Sequence, residues 1–170
     1  MFLIDILEAS KLMKNKHYPC VQFDFEKNLI HVTDGVALLR IKFNFNVQCN
    51  IEQYPNFNNK KQFLLHMSQI KFVVEGLRQN INLFDILANN LIVDSDYRFP
   101  PVENIQFRNK GAISNIKYDI NVLYTCLAAL KKLNIGVVNL NFSWYRELNE
   151  PTQILESDND QVEILLMPAY

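Results

Sequence analysis

An Asp-Gly pair set between two apolar runs is the feature that most constrains this chain. Leu29 to Thr33 leads into Asp34-Gly35, and Val36 to Phe43 follows at once. Such a link between apolar runs is a strong short-range hairpin signal, and Gly35 lets the backbone turn with φ > 0. Just upstream, Val21, Phe23 and Phe25 alternate with Gln22 and Asp24, as in a half-buried strand, and Glu26-Lys27-Asn28 supplies a turn. A three-strand antiparallel meander is therefore predicted near the start. At the far end, Thr152 to Glu156 and Val162 to Met167 predict a second hairpin across the acidic turn Ser157-Asp158-Asn159-Asp160. Ile135 to Trp144 reads as a strand before it.

Between these strands the apolar period changes. Leu3, Ile6, Leu7, Ser10 and Met13 share one helical face, and Pro19 ends any helix before it. Ser68 caps a predicted helix from Gln69 to Gln79 with the stripe Ile70, Val73, Val74 and Leu77, although Gly76 weakens it by about 1 kcal/mol relative to Ala. Asp119 caps another from Ile120 to Lys132, with Val122, Leu123, Leu127 and Leu130 inward and Lys131 and Lys132 in the last turn, where the helix dipole favours cations. Phe63 to Met67, Ile81 to Leu87, Asn90 to Asp94 and Ile113 to Tyr118 are predicted strands. The Asn-rich stretch 44–61, broken by Tyr54-Pro55-Asn56, reads as a loop or an irregular edge. Strand–helix–strands units thus recur over 1–45, 62–107 and 108–170. They predict an α+β protein of antiparallel sheets backed by helices, the first two units forming one domain (1–107) and the third a half-domain.

Composition excludes little. With 170 residues there is enough chain for a real core, and the net charge of −1 announces no nucleic-acid partner, although a local basic face depends on where the charge sits. The bias towards Asn, Ile, Leu, Phe and Lys, with only four Gly, reads as an AT-rich coding background without chemistry. Cys20, Cys49 and Cys126 are odd in number and widely spaced, which points to reduced, buried thiols in a cytoplasmic protein. No membrane span or signal peptide is expected.

The turn Val32-Thr33-Asp34-Gly35-Val36-Ala37-Leu38-Leu39, the segment Phe99-Pro100-Pro101-Val102 and the ending Leu165-Leu166-Met167-Pro168-Ala169-Tyr170 stand in that order along the chain. On these anchors the chain resembles the bacterial DNA polymerase III beta sliding clamp, in a shortened form like those carried by phages and prophages. The family's second domain has Ala-Thr-Asp-Gly-His-Arg-Leu-Ala at such a turn and ends in Phe-Pro-Asp-Tyr, and its chain ends in Val-Val-Met-Pro-Met-Arg-Leu. Here Val36 and Ala37 replace the His and Arg, Tyr170 replaces the terminal Arg, and there is room for three of the family's six units.

The resemblance implies a DNA-clamp-like fold and a non-enzymatic role in DNA replication. Either the chain tethers a polymerase as an oligomeric clamp, or it presents a peptide pocket without encircling DNA. Its partners would be replication proteins carrying clamp-binding peptides, double-stranded DNA held without sequence readout, and further copies of itself. In the pocket, Thr33, Gly35 and Leu38 would line one wall and Leu165, Leu166, Met167 and Pro168 the other, with Phe107 near the place of a family proline. The turn and the closing strand should then meet and leave an apolar groove open to solvent. The same apolar residues also suit a plain buried core. DNA contact would fall to Lys11, Lys14, Lys16, Lys71, Arg78, Lys131 and Lys132, with Glu8 and Glu75 diluting the charge.

No catalytic constellation emerges. His17, His31 and His66 are scattered, and no zinc-protease, phosphate-loop, dinucleotide or nucleophile-elbow motif occurs, so no cofactor or metal is expected. Two rivals remain from other classes: an α+β interaction domain unrelated to replication, and a small enzyme with an unrecognised site.

Overall fold

The computed structural model describes residues 1–13, 17–89, 99–100, 102, 118–141, 152–156 and 161–166. Its centre is a seven-stranded, wholly antiparallel sheet. The elements run α1 (Leu3–Ser10), β1 (Cys20–Asp24), β2 (Leu29–Thr33), β3 (Ala37–Lys42), α2 (Phe45–Cys49), α3 (Pro55–Asn58), β4 (Gln62–His66), α4 (Ile70–Arg78), α5 (Leu83–Asn89), α6 (Ile120–Lys132), β5 (Val138–Asn141), β6 (Thr152–Glu156) and β7 (Val162–Leu166). Across the sheet the order is β4-β1-β2-β3-β7-β6-β5. The protein is α+β, with antiparallel strands backed by helices.

The strand order has an internal symmetry. A helix followed by a three-strand meander occurs twice, as α1-β1-β2-β3 and as α6-β5-β6-β7. The last strand of each meander meets the other antiparallel at the middle of the sheet, with Leu39 opposite Ile164. The helices α1 and α6 pack against each other on one face, so the two halves repeat one topology on either side of that seam. The β4 strand adds to the outer side of β1, and α4 returns beside α1.

Strand alternation sends Val21, Phe23, Ile30, Val32, Leu39, Ile41, Val162, Ile164 and Leu166 into one core with Ile6 and Leu7 of α1, Val73 and Val74 of α4, and Ala129 and Leu130 of α6. One end of this core is aromatic. Phe25 meets Phe45 edge-on at 4.9 Å, and Phe57 lies 5.0 Å from Phe84. Such pairs add roughly 0.5–1.5 kcal/mol each beyond their buried area.

The stretch 44–61 is more ordered than the sequence implied. Asn44 accepts a hydrogen bond from the Val47 amide and caps α2, and Pro55 starts α3 at its first position, where a missing amide hydrogen does no harm. The predicted strand at 81–87 is instead α5. The Asn82 side chain accepts from the Phe84 amide and donates to the Cys49 carbonyl, which starts the helix. The predicted strand at 90–94 lies outside the described residues, as do residues 113–117 of the strand predicted over 113–118.

The asparagine bias does carry structure. Asn28, Asn50, Asn80 and Asn134 all take positive φ, between 53° and 60°. With few glycines available, asparagine fills the left-handed positions it tolerates best among residues with a Cβ. Asn80 and Asn134 end α4 and α6 in the same way: the Ile81 amide donates to the Gly76 carbonyl, and the Ile135 amide to the Leu130 carbonyl.

Candidate functional site: the outer face of the central seam

The sheet's second face, away from the helices, carries a row of polar residues that the strand register sets side by side. Gln22 lies opposite His31, His31 opposite Arg40, and Arg40 opposite Glu163. Gln22 and His31 are buried. His31 Nδ1 lies 2.9 Å from Gln22 Oε1, and Gln22 Nε2 donates to Gln62 Oε1 at 2.7 Å. Arg40 Nη1 donates to Glu163 Oε2 at 2.6 Å, joining β3 to β7 on this face. Both partners are only partly exposed, so this pair is shielded from salt more than a surface ion pair would be.

Beside the polar row runs an apolar step. Leu38 of β3 faces Leu165 of β7 in register, and Thr33 of β2 faces Leu38. The turn next to them is held by its own side chains. Thr33 Oγ1 donates to the Ala37 carbonyl and accepts from the Gly35 amide, while Asp34 Oδ1 accepts from the amides of Val36 and Ala37. Gly35 has φ 92°, an angle that L side chains rarely adopt.

The predicted meeting of the Thr33-Gly35 turn with the closing strand is therefore present. The groove is not open. Leu38 is 3% exposed and Leu165 1%, and Val102, itself 1% exposed, completes a small cluster with them, separate from the main core. Phe99 packs against this cluster, and its ring lies 6.5 Å from that of His31. The Val102 carbonyl accepts from Arg40 Nη2 at 3.2 Å. Leu166 sits on the other face, in the main core beside Ala37, because consecutive strand residues point to opposite sides. It shares no wall with Leu165. Phe107, Met167 and Pro168 lie outside the described residues.

The basic candidates lie in the helix layer, on the opposite side of the sheet. Lys11 Nζ is 2.9 Å from Glu8 Oε1, and Arg78 Nη2 is 3.9 Å from the same oxygen. Lys71 Nζ is 3.9 Å from Glu75 Oε1. Lys131 and Lys132 are exposed at the end of α6. Lys14 and Lys16 fall outside the described residues. Exposed Phe72, Ile120 and Tyr124 interrupt the charge on this surface. Nothing in the sequence alone singles out His31 and its partners, because a scattered histidine carries no motif. What would have revealed the row is the polar alternation of Gln22, His31, Arg40 and Glu163 across strands whose register only the fold supplies.

All three cysteines are buried, and none is in a disulfide. No helix among the described residues is long and apolar enough to cross a membrane. Among the described residues, no group of His, Cys, Asp and Glu is placed to hold a metal ion. No protein-family model, no curated protein and no solved structure matches the chain.

Proposed function

We propose that the protein is a clamp-like binding module of DNA replication. Its outer sheet face takes short linear peptides of replication proteins between the Thr33-Gly35 turn and β7. The observation that carries the reading is the register of Leu38 against Leu165 beside that turn, two residues that the sequence separates by most of its length. An apolar step flanked by Arg40 and Glu163 suits a peptide that buries one or two aliphatic or aromatic side chains and fixes its backbone with polar contacts. The reading is of a binding module rather than an enzyme, and it is supported by polar groups on this face that hydrogen-bond one another.

The helix layer supports a weaker form of DNA contact than a continuous positive face would give. Glu8 and Glu75 sit beside three of the basic candidates, leaving Lys131 and Lys132 as the exposed pair that would touch backbone phosphates. Assembly into a ring would join copies through β4 and β5, the outer strands of the sheet among the described residues.

The test is a titration of a fluorescent clamp-binding peptide against the whole chain. Saturable binding that Leu165→Asp reduces at least tenfold, with the circular dichroism spectrum retained, is the expected result. No binding to the wild-type chain or to any folded variant would overturn the reading. Retention on double-stranded DNA at low salt, lost in Lys131→Glu/Lys132→Glu, tests the helix face separately.

A further inference from the structure

We propose that the exposed face of α6 is a self-association surface, through which two copies of the chain pair antiparallel about a two-fold axis. The inference concerns the helix layer and stands apart from the peptide-docking reading, which uses the other side of the sheet.

The helix is apolar on two opposite faces. Cys126, Ala129 and Leu130 enter the core and are at most 3% exposed. The far side carries Ile120, Tyr124 and Leu127 at the spacing i, i+4, i+7, and these are 72%, 73% and 46% exposed. The helix α4 in the same layer is built differently. It buries Ile70, Val73 and Val74 and turns Lys71, Glu75 and Arg78 outward along with the half-exposed Phe72. A helix with apolar stripes on both sides is normally covered on both. The patch also continues beyond α6, since the turn Lys11–Met13 packs beside the helix and its Leu12 is 45% exposed. Single exposed apolar residues are ordinary, but four on adjoining elements form a patch.

Charge at the two ends of α6 selects a second copy as the occupant. Asp119 stands at the start and Lys131 and Lys132 in the last turn, all exposed. None of the three is in an ion pair among the described residues. The stripe is centred between Tyr124 and Leu127. An antiparallel copy therefore sets each Tyr124 beside Leu127 of the partner subunit, and each Lys131 beside Asp119 of the partner subunit. Opposite charges then meet at both ends, and the opposed helix dipoles attract as well. A parallel pair would set lysine against lysine. Such a contact uses the same patch twice, closes on itself and stops at two copies. One helix and one turn from each copy make a smaller contact than the roughly 1,600 Å2 of a standard interface, so the dimer is weak and dissociates on dilution.

The test is sedimentation velocity of the whole chain from about 5 to about 500 μM, a range that brackets a weak dimer. The expected result is a concentration-dependent shift from monomer to dimer with no larger species. Tyr124→Glu alters a side chain that the fold leaves exposed, so it should keep its circular dichroism spectrum and stay monomeric at the highest concentration. Asp119→Asn keeps the helix cap and removes the charge, and should raise the dissociation constant at least threefold. Added salt should weaken the wild-type dimer in the same direction. A wild-type chain that stays monomeric throughout, or a dimer that either substitution leaves unchanged, overturns the proposal. A monomer whose retention on double-stranded DNA is lost in Lys131→Glu/Lys132→Glu would overturn it too, by giving this face to DNA.

Discussion

Gly76 shows how a single residue answers two demands at once. A Cβ there would stand 2.7 Å from Ile86 Cδ1 and 2.9 Å from Ile86 Cγ1, closer than real Cβ atoms come. The glycine that weakens α4 by propensity is what lets α5 pack against it. Gly76→Ala gains about 1 kcal/mol of helix propensity but overpacks a fully buried neighbour, which costs about 1–3 kcal/mol. We expect net destabilisation by urea unfolding, and a smaller effect of Ile86→Val in the Gly76→Ala background than in wild type. Additive effects would mean that the two side chains do not meet. The thiols make a second residue-scale test. Burial pushes Cys49 up to about 11 and Cys126 up to about 12, from an ordinary value of 9.0, with the charge of Asp34 adding to the rise at Cys126. The unfolded thiols ionise first, so their contribution is fully present below pH 9.0 and is lost as pH rises through the folded values. The stability advantage of wild type over Cys126→Ala should therefore shrink between pH 9 and pH 12. An advantage independent of pH would contradict the burial.

At the scale of elements, what the sequence made legible follows its strongest local signals. Asp119 marked the start of α6, and its carboxylate accepts from the amides of Asn121 and Val122 as a capping residue should. Asp119→Ala is expected to lower stability by about 1 kcal/mol, read from the unfolding midpoint, whereas Asp119→Asn should lose little. A loss near zero for the alanine variant would show that α6 starts without this cap. The helix α5 was not legible, and the reason is physical. Ile81 to Leu87 is a short apolar run broken only by Asn82 and Asp85, which suits a buried strand, while Leu83, Phe84 and Leu87 also fit a helical stripe. Tertiary context decided: Asn82 bridges to the Cys49 carbonyl and caps the helix, and Phe84 enters the aromatic cluster. The candidate site was legible only in part. Gly35 and the closing apolar strand announced the two sides of the seam. The alternation that puts Leu165 outward puts Leu166 inward, and the cover by Val102 depends on a contact between segments far apart in sequence.

At the scale of the molecule, the seam between β3 and β7 decides whether the chain is one folding unit. Arg40 and Glu163 meet across 123 residues of sequence, so the sheet cannot close until distant parts of the chain have found each other. The two helix-and-meander halves are joined there by Ala37–Ile41 against Val162–Leu166, and α1 lies on α6 above them. Ile164 is at the centre of that seam, fully buried, opposite Leu39 on one side and Ile154 on the other. Truncating it to alanine removes buried methyl groups and leaves a cavity, a change that costs about 2–5 kcal/mol in well-packed cores. If the halves unfold together, that loss is shared by every amide that exchanges only through global unfolding, wherever it lies. Hydrogen exchange of Ile164→Ala should therefore accelerate the protected amides of β1 and β2 by the same factor as those of β6, although β1 and β2 are not paired with β7 in the sheet. Acceleration confined to β6 and β7, with β1 and β2 exchanging as in wild type, would show two independently stable units meeting at a docking surface. In that case the Leu38–Leu165 step would be an interface between domains, able to open by their separation.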